Sequence, residues 1–247
     1  RSWSFVTRRK IFGNKSMALI TDEAYVLRSV KYGDTSKILS LYSKENGKIN
    51  CIVKGARNLK SRVLGVIEPF NKITIVFYHK QNRDLQMLSK AETITNFAGM
   101  KSDLDKLEIG YRILEMMNKA VYDNEHSHEL FELLSNTFTF INRTDEDTSF
   151  VYLYFQIHLC EVLGISPIDK SDTEGNTFKS KELLLNKMQL EIIKQLLEND
   201  IEKILVEEGS SETILNLMSI YDNYLSDHTE NFLKLKSVKV FSQMNLN

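Results

Sequence analysis

The chain has 247 residues, of which 42% are apolar, enough for one large core or two small ones. Its formal net charge of −1 conceals an asymmetry: residues 1–17 carry five cations and no acids, residues 18–98 thirteen cations against seven acids, and residues 99–247 fourteen cations against twenty-six acids. An acidic half repels a polyanion as a whole, so nucleic acid is directed to the N-terminal half and the other half is left for protein contacts. No run approaches the ~18 consecutive apolar residues of a membrane-spanning helix. The two cysteines, Cys51 and Cys160, sit far apart in apolar runs and suit buried free thiols in a reducing cytosol better than a disulfide.

The opening RSWSFVTRRKIFGNKS is basic but lacks the apolar stretch of a secretory signal. Residues 1–17 are read as a basic N-terminal extension, upstream in-frame sequence or an expression remnant, with Met17 the natural start of the domain. From 22 to 95 the period is close to two: Tyr25, Leu27 and Ser29 alternate with Val26, Arg28 and Val30, and Ile73, Ile75 and Phe77 alternate with Lys72, Thr74, Val76 and Tyr78. That is strand periodicity. Asn46-Gly47 marks a tight hairpin between the runs 37–44 and 48–54, and Gly33-Asp34 and the polar 81–84 mark two more turns. Five strands, with a long connection over 55–70 between the third and fourth, predict a five-stranded OB barrel over residues 18–98.

Cations recur through this strand pattern at Lys31, Lys37, Lys44, Lys48, Lys54, Arg57, Lys60 and Arg62. A solvated barrel surface is the plain reading of such a series; a phosphate-binding surface is the functional one. Arg57, Lys60 and Arg62 come first as DNA contacts because they lie on the long loop, followed by Lys37, Lys54 and Lys31. Tyr32 and Tyr42 offer rings able to stack on bases, although a barrel tyrosine more often packs in the core.

After residue 99 the period becomes helical. Leu104, Leu107, Tyr111, Leu114, Met117 and Val121 form one apolar stripe, and Phe150, Val151, Tyr154, Phe155, His158, Leu159 and Val162 another. Thr144 followed by Asp145, Glu146 and Asp147 reads as a helix N-cap with acids in the first turn. Further helices are predicted over 130–140, 187–198 and 212–225, and Gly164 with Pro167 ends the central one. Residues 99–247 are therefore an all-α domain, giving an α+β two-domain chain. His158, on an apolar stripe, is read as a hydrogen-bonded core residue. His126 and His128 are poorly spaced for one helical face and are read as a surface turn, not a metal site.

The wording of the N-terminal half resembles the RecO family of bacterial recombination mediators. The matching residues are Tyr32, Gly33, Asp34 and Lys37; then Lys54, Gly55, Ala56 and Arg57; then Ser61 with Arg62, and Glu68, Pro69 and Phe70. The C-terminal half agrees more loosely, through Leu163, Gly164 and Pro167 and the tail around His228, Leu235, Lys236, Ser237 and Val240. The resemblance implies a DNA repair and recombination mediator of the RecF pathway, cytoplasmic and nucleoid-associated. Such a protein binds single- and double-stranded DNA, anneals complementary strands and, with RecR, lets RecA load on DNA coated by the single-strand-binding protein SSB.

The family's helical domain also docks the acidic tail of SSB, for which Lys179, Lys181 and Lys187 are the weakly marked candidates here. Many relatives follow the glycine-x-x-proline segment with four cysteines that hold zinc; this chain reads IDKSDTEGNTFKSKELL there, so neither that zinc finger nor any other cofactor is expected. No phosphate-cradling GxxxxGK[ST] loop, GxSxG elbow or HExxH pair is present, and catalysis is not expected. The alternative is an OB-fold protein-interaction adaptor whose DNA binding is incidental.

Overall fold

A computed structural model describes residues 17–58, 61–81, 83–145, 148–169, 179–180, 182–204, 210–229 and 237. The chain divides into two compact units, Arg1–Asn96 with Val121–His128, and Phe97–Ala120 with Glu129–Asn247. The first is a closed barrel of β1 (Met17–Tyr32), β2 (Ser36–Ser43), β3 (Gly47–Val53), β4 (Lys72–Lys80) and β5 (Leu85–Thr95), ordered β1-β2-β3-β5-β4. This is the predicted five-stranded OB barrel. β1 pairs antiparallel with β4 from Met17↔Lys80 to Tyr25↔Lys72, then with β2 from Ala24↔Ser43 to Tyr32↔Ser36. A short parallel ladder between β3 and β5, Asn50↔Leu85 to Ile52↔Met87, completes the closure.

Alternation supplies the core: Ala24, Val26, Leu39, Leu41, Ile49, Cys51, Ile73, Ile75 and Phe77 all point inward and are buried. The described parts of the connection, 54–58 and 61–71, fold back as tight turns, with Ala56 and Ile67 added to that core. Asn71, itself buried, donates through Nδ2 to Gly65 O (2.8 Å) and Val66 O (2.9 Å) and so fixes the end of the connection.

One carboxylate organises the β2–β3 hairpin. Asp22, buried on β1, accepts from Ser43 Oγ (2.5 Å), Asn46 Nδ2 (2.6 Å) and Glu45 N (3.2 Å) through Oδ2, and from Glu23 N (2.8 Å) through Oδ1. The predicted glycine position follows: Gly47 takes φ +64° where β3 starts, a conformation that only glycine adopts without strain.

The second unit is helical, with α1 (Ala98–Lys101), α2 (Leu104–Ala120), α3 (His128–Arg143), α4 (Ser149–Val162), α5 (Lys187–Glu198) and α6 (Ser211–His228). A two-residue ladder, β6 (Ile168–Asp169) with β7 (Lys179–Ser180), is added to the predicted helices. α4 is the central helix, buried at Phe150, Val151, Tyr152, Leu153, Phe155, Gln156, Ile157, Leu159 and Cys160, so its burial runs beyond the single predicted stripe. α2 departs from its predicted stripe as well: Leu104 and Tyr111 are exposed, and Ile109, Ile113, Met116, Met117 and Ala120 face inward with Leu114. The largest side chains suggest one face, but the face opposite the neighbouring helices is the one buried.

The helix ends are set by specific hydrogen bonds. Thr144 is not the N-cap of α4; its N–H closes α3 on Phe140 O (2.9 Å), and α4 starts at Ser149 after Thr148. The predicted stop at Gly164 holds, with Gly164 N on Glu161 O (3.0 Å) and Ile165 N on Cys160 O (2.9 Å) around a left-handed glycine. α5 starts on a capping box in which Asn186 Oδ1 accepts from Gln189 N (2.9 Å) and Gln189 Oε1 from Asn186 N (2.8 Å). His158 Nε2 bonds Leu196 O (3.0 Å) beside the Tyr154 ring, the hydrogen-bonded role expected of it.

In this unit Asp222 accepts from Tyr152 OH (2.6 Å), Gln156 Nε2 (2.7 Å) and Arg112 Nη2 (3.4 Å), with the Arg112 guanidinium 4.2 Å over the Tyr152 ring. Burial raises the Asp222 pKa above the ordinary carboxylate value, while the bonds from Tyr152 and Arg112 oppose that rise.

Removing Asp22 leaves three donors of the β2–β3 turn without their acceptor. Asp22→Ala is expected to lower the unfolding free energy of the barrel by about 3 kcal/mol; urea unfolding measures it, and a change within error of zero contradicts this account of the hairpin.

Candidate nucleic-acid interface

At one end of the barrel, the β1–β2 turn and the exit of β3 bring several candidate cations together. Lys31 on β1 pairs with Lys37 on β2, which pairs with Val53 at the end of β3, next to Lys54. Arg57 binds this turn twice: its N–H donates to Thr35 O (2.9 Å) and its Nη1 to Gly33 O (2.7 Å). Both acceptors are neutral carbonyls, so the guanidinium charge stays available to solvent. Lys31, Tyr32, Lys54, Arg57 and Arg62 are exposed, Tyr32 by 52%. Among the described residues, Lys31, Lys54 and Arg62 have no acidic partner. Lys60 lies outside the described residues.

Two cations of the series are committed inside the unit. Lys37 Nζ sits 2.8 Å from Glu68 Oε1 with its side chain 13% exposed. Lys48 Nζ donates to Val121 O (2.8 Å), lies 3.6 Å from Asp123 Oδ1, and is 12% exposed. Burial lowers the Lys48 pKa, with Asp123 opposing the fall.

Tyr42 is not a stacking platform. Its ring lies on the outer barrel face opposite Lys48, yet it is completely buried. The segment Val121–His128 brings this about: Asn124 N donates to Lys48 O (2.8 Å), and Tyr42 OH donates to Ser127 O (3.2 Å) and accepts from Ser127 N (3.1 Å). Burial pushes the Tyr42 hydroxyl up to about 12, so it stays neutral and keeps both bonds. A Cβ at Gly47 would collide with the Glu125 carbonyl, so glycine is also needed for this close approach.

OB folds present the face of strands two and three and the loop between strands one and two to oligonucleotides. Here Val121–His128 occupies part of that face, and the opposite end, around residues 31–35 and 54–57, is open and basic. Arg28, absent from the candidates, is exposed too. Strict alternation from Val26 turns it inward, but a register shift between Val26 and Arg28 resets the phase. Of the candidate peptide-docking lysines in the helical unit, Lys187 is the exposed first residue of α5, Lys179 falls in β7 and Lys181 lies outside the described residues.

Fold and site define a class: an OB-fold protein with a basic rim, joined to an acidic helical unit. The Recombination protein O N-terminal model matches residues 17–97 and the Recombination protein O C-terminal model residues 101–237. The chain belongs to the RecO family. It is 31% identical over 161 residues to the DNA repair protein RecO of Salinibacter ruber, covering 65% of this chain and 62% of that one. It is 32% identical over 149 residues to that of Chlorobium limicola, covering 60% and 57%. To that of Alkaliphilus metalliredigens it is 26% identical over 245 residues, covering 90% and 99%. The match spans about three fifths of the length of the first two relatives.

If the open rim contacts phosphates, Lys54→Ala and Arg57→Ala should each reduce the log–log salt slope of DNA binding by about one unit. Lys48→Ala should leave the slope unchanged and lower stability instead. Filter binding over a salt series separates them, and a Lys48 effect on the slope equal to that of Arg57 contradicts the assignment.

Proposed function

We propose that this protein is a DNA repair and recombination mediator that holds single- and double-stranded DNA on the barrel rim and anneals complementary strands. The observation that carries the reading is the set of exposed cations, Lys31, Lys54, Arg57 and Arg62, gathered around the β1–β2 turn or on the adjoining loop without acidic partners among the described residues. Exposed Lys and Arg side chains of this kind contact phosphates and not base edges, so binding is indifferent to sequence. Neutralising phosphates also lets two strands approach. The name of the relatives, DNA repair protein RecO, agrees with this chemistry. With RecR, the chain would promote RecA loading on SSB-coated DNA, and the helical unit would take the SSB C-terminal tail. The role is binding and not catalysis.

No structural zinc is proposed for the helical unit. A four-thiolate site needs four cysteines, and the chain has two, Cys51 and Cys160, in different units. Both are buried and free; burial pushes the Cys51 thiol up to about 12 and the Cys160 thiol up as well, away from the thiolate a metal needs. The helical circular dichroism is therefore expected to be unchanged by EDTA, and a loss of helix on chelation contradicts this.

The deciding experiment replaces Arg57, Lys60 and Arg62 together by alanine. Annealing and DNA affinity should fall, with the salt slope lower by about three units, while circular dichroism and binding of a peptide copy of the SSB tail stay unchanged. Unimpaired annealing by the folded triple variant overturns the choice of surface. Weak, salt-independent DNA binding by the unmodified protein favours a protein-interaction adaptor instead.

A further inference from the structure

We propose that Glu45, His126 and His128 form a binding site for a divalent transition-metal ion, with Zn2+ the cellular candidate. One ligand atom from each of the three lies within 4.8 Å of the other two. His128 Nε2 is 3.9 Å from Glu45 Oε2, and the imidazole centroids are 4.7 Å apart at 81°. Metal–ligand bonds of 2.0–2.1 Å in tetrahedral geometry place neighbouring ligand atoms about 3.3 Å apart. All three side chains are exposed, so small rotations about their side-chain bonds close the remaining gap.

The spacing of the histidines, wrong for one face of a helix, suits the backbone they occupy. Residues 125–127 are not helical, and α3 begins only at His128. Outside a helix the helical spacing rule does not apply, and the two rings stand 4.7 Å apart. Ser127, between them, is fixed by both of its backbone groups to Tyr42 OH, so the two imidazoles flank an anchored peptide. Glu45, their carboxylate partner, is tethered at its backbone: Glu45 N donates to Asp22 Oδ2, in the turn that Asp22 organises. Glu125 is engaged elsewhere, its Oε2 accepting from Tyr122 N at 2.9 Å.

Two imidazoles and one carboxylate favour Zn2+ and its neighbours over Mg2+ and Ca2+, which prefer all-oxygen sets. Three protein ligands leave at least one position for water. A bound ion would bridge the β2–β3 turn and the segment Val121–His128 and slow their separation. The site is on the barrel unit and independent of the DNA reading, and the unit's own hydrogen bonds hold it without metal.

The test uses the full chain without an affinity tag. Titration with ZnCl2 in a non-chelating buffer, followed by calorimetry, is expected to show one equivalent bound with a micromolar dissociation constant. Co2+ should give visible d–d bands of nitrogen and oxygen coordination. Glu45→Gln, His126→Ala and His128→Ala should each weaken Zn2+ binding at least tenfold with unchanged circular dichroism, and His228→Ala, which removes a histidine paired with Glu182, should not. Zn2+ should slow amide exchange over 121–128 in the unmodified protein and not in the His126→Ala/His128→Ala variant. Millimolar or weaker binding, or binding indifferent to the three substitutions, overturns the site; tight binding without slowed exchange overturns the bridge.

Discussion

The barrel depends on one long strand that pairs with two neighbours in turn. β1 pairs with β4 along its first half and with β2 along its second, and Ala24 and Tyr25 have partners on both sides. The register shift between Val26 and Arg28, just past the residues that pair on both sides, bends the strand there. The bend also lets Val26 exchange hydrogen bonds with Asn71 O (3.0 Å) and Phe70 N (3.1 Å), which seats the long connection over the core. The position of Arg57 beside the β1–β2 turn follows from that seating.

The second constraint is the covering of the outer β2–β3 face by Val121–His128. Covering a barrel face with peptide requires partners for the backbone groups it buries. Lys48 and Tyr42 provide them, at the expense of the charge and the ring that their positions would otherwise leave exposed. The two ends of the same pair of strands thus differ in chemistry. One end is satisfied internally through neutral Tyr42 and desolvated Lys48, and the other presents Lys31, Lys54 and Arg57 to water.

The same covering joins groups far apart in sequence. Glu45 stands on a hairpin held by Asp22, and His126 and His128 flank a serine held by Tyr42. Asp22 and Tyr42 therefore organise both the fold of the unit and the approach of Glu45 to the two imidazoles.

Much of this was legible in the sequence because it is local. Period-two alternation determined the strands, Asn46-Gly47 and Gly33-Asp34 the hairpins, and Gly164 the end of α4, since each depends on backbone preferences over a few residues. The charge division between the halves was equally plain. What the tertiary structure alone decided depends on partners distant in sequence. Tyr32 and Tyr42 look alike in the strand pattern, but a segment some eighty residues away buries one and leaves the other exposed. Lys37 and Lys54 are equal members of a cation series until Glu68 claims the first. His126 and His128 are an unpromising pair until the chain sets Glu45 against them. Alternation specifies which side of a strand a residue takes; only folding determines what covers that side, and covering sets whether a charge, a ring or an imidazole remains available to a ligand.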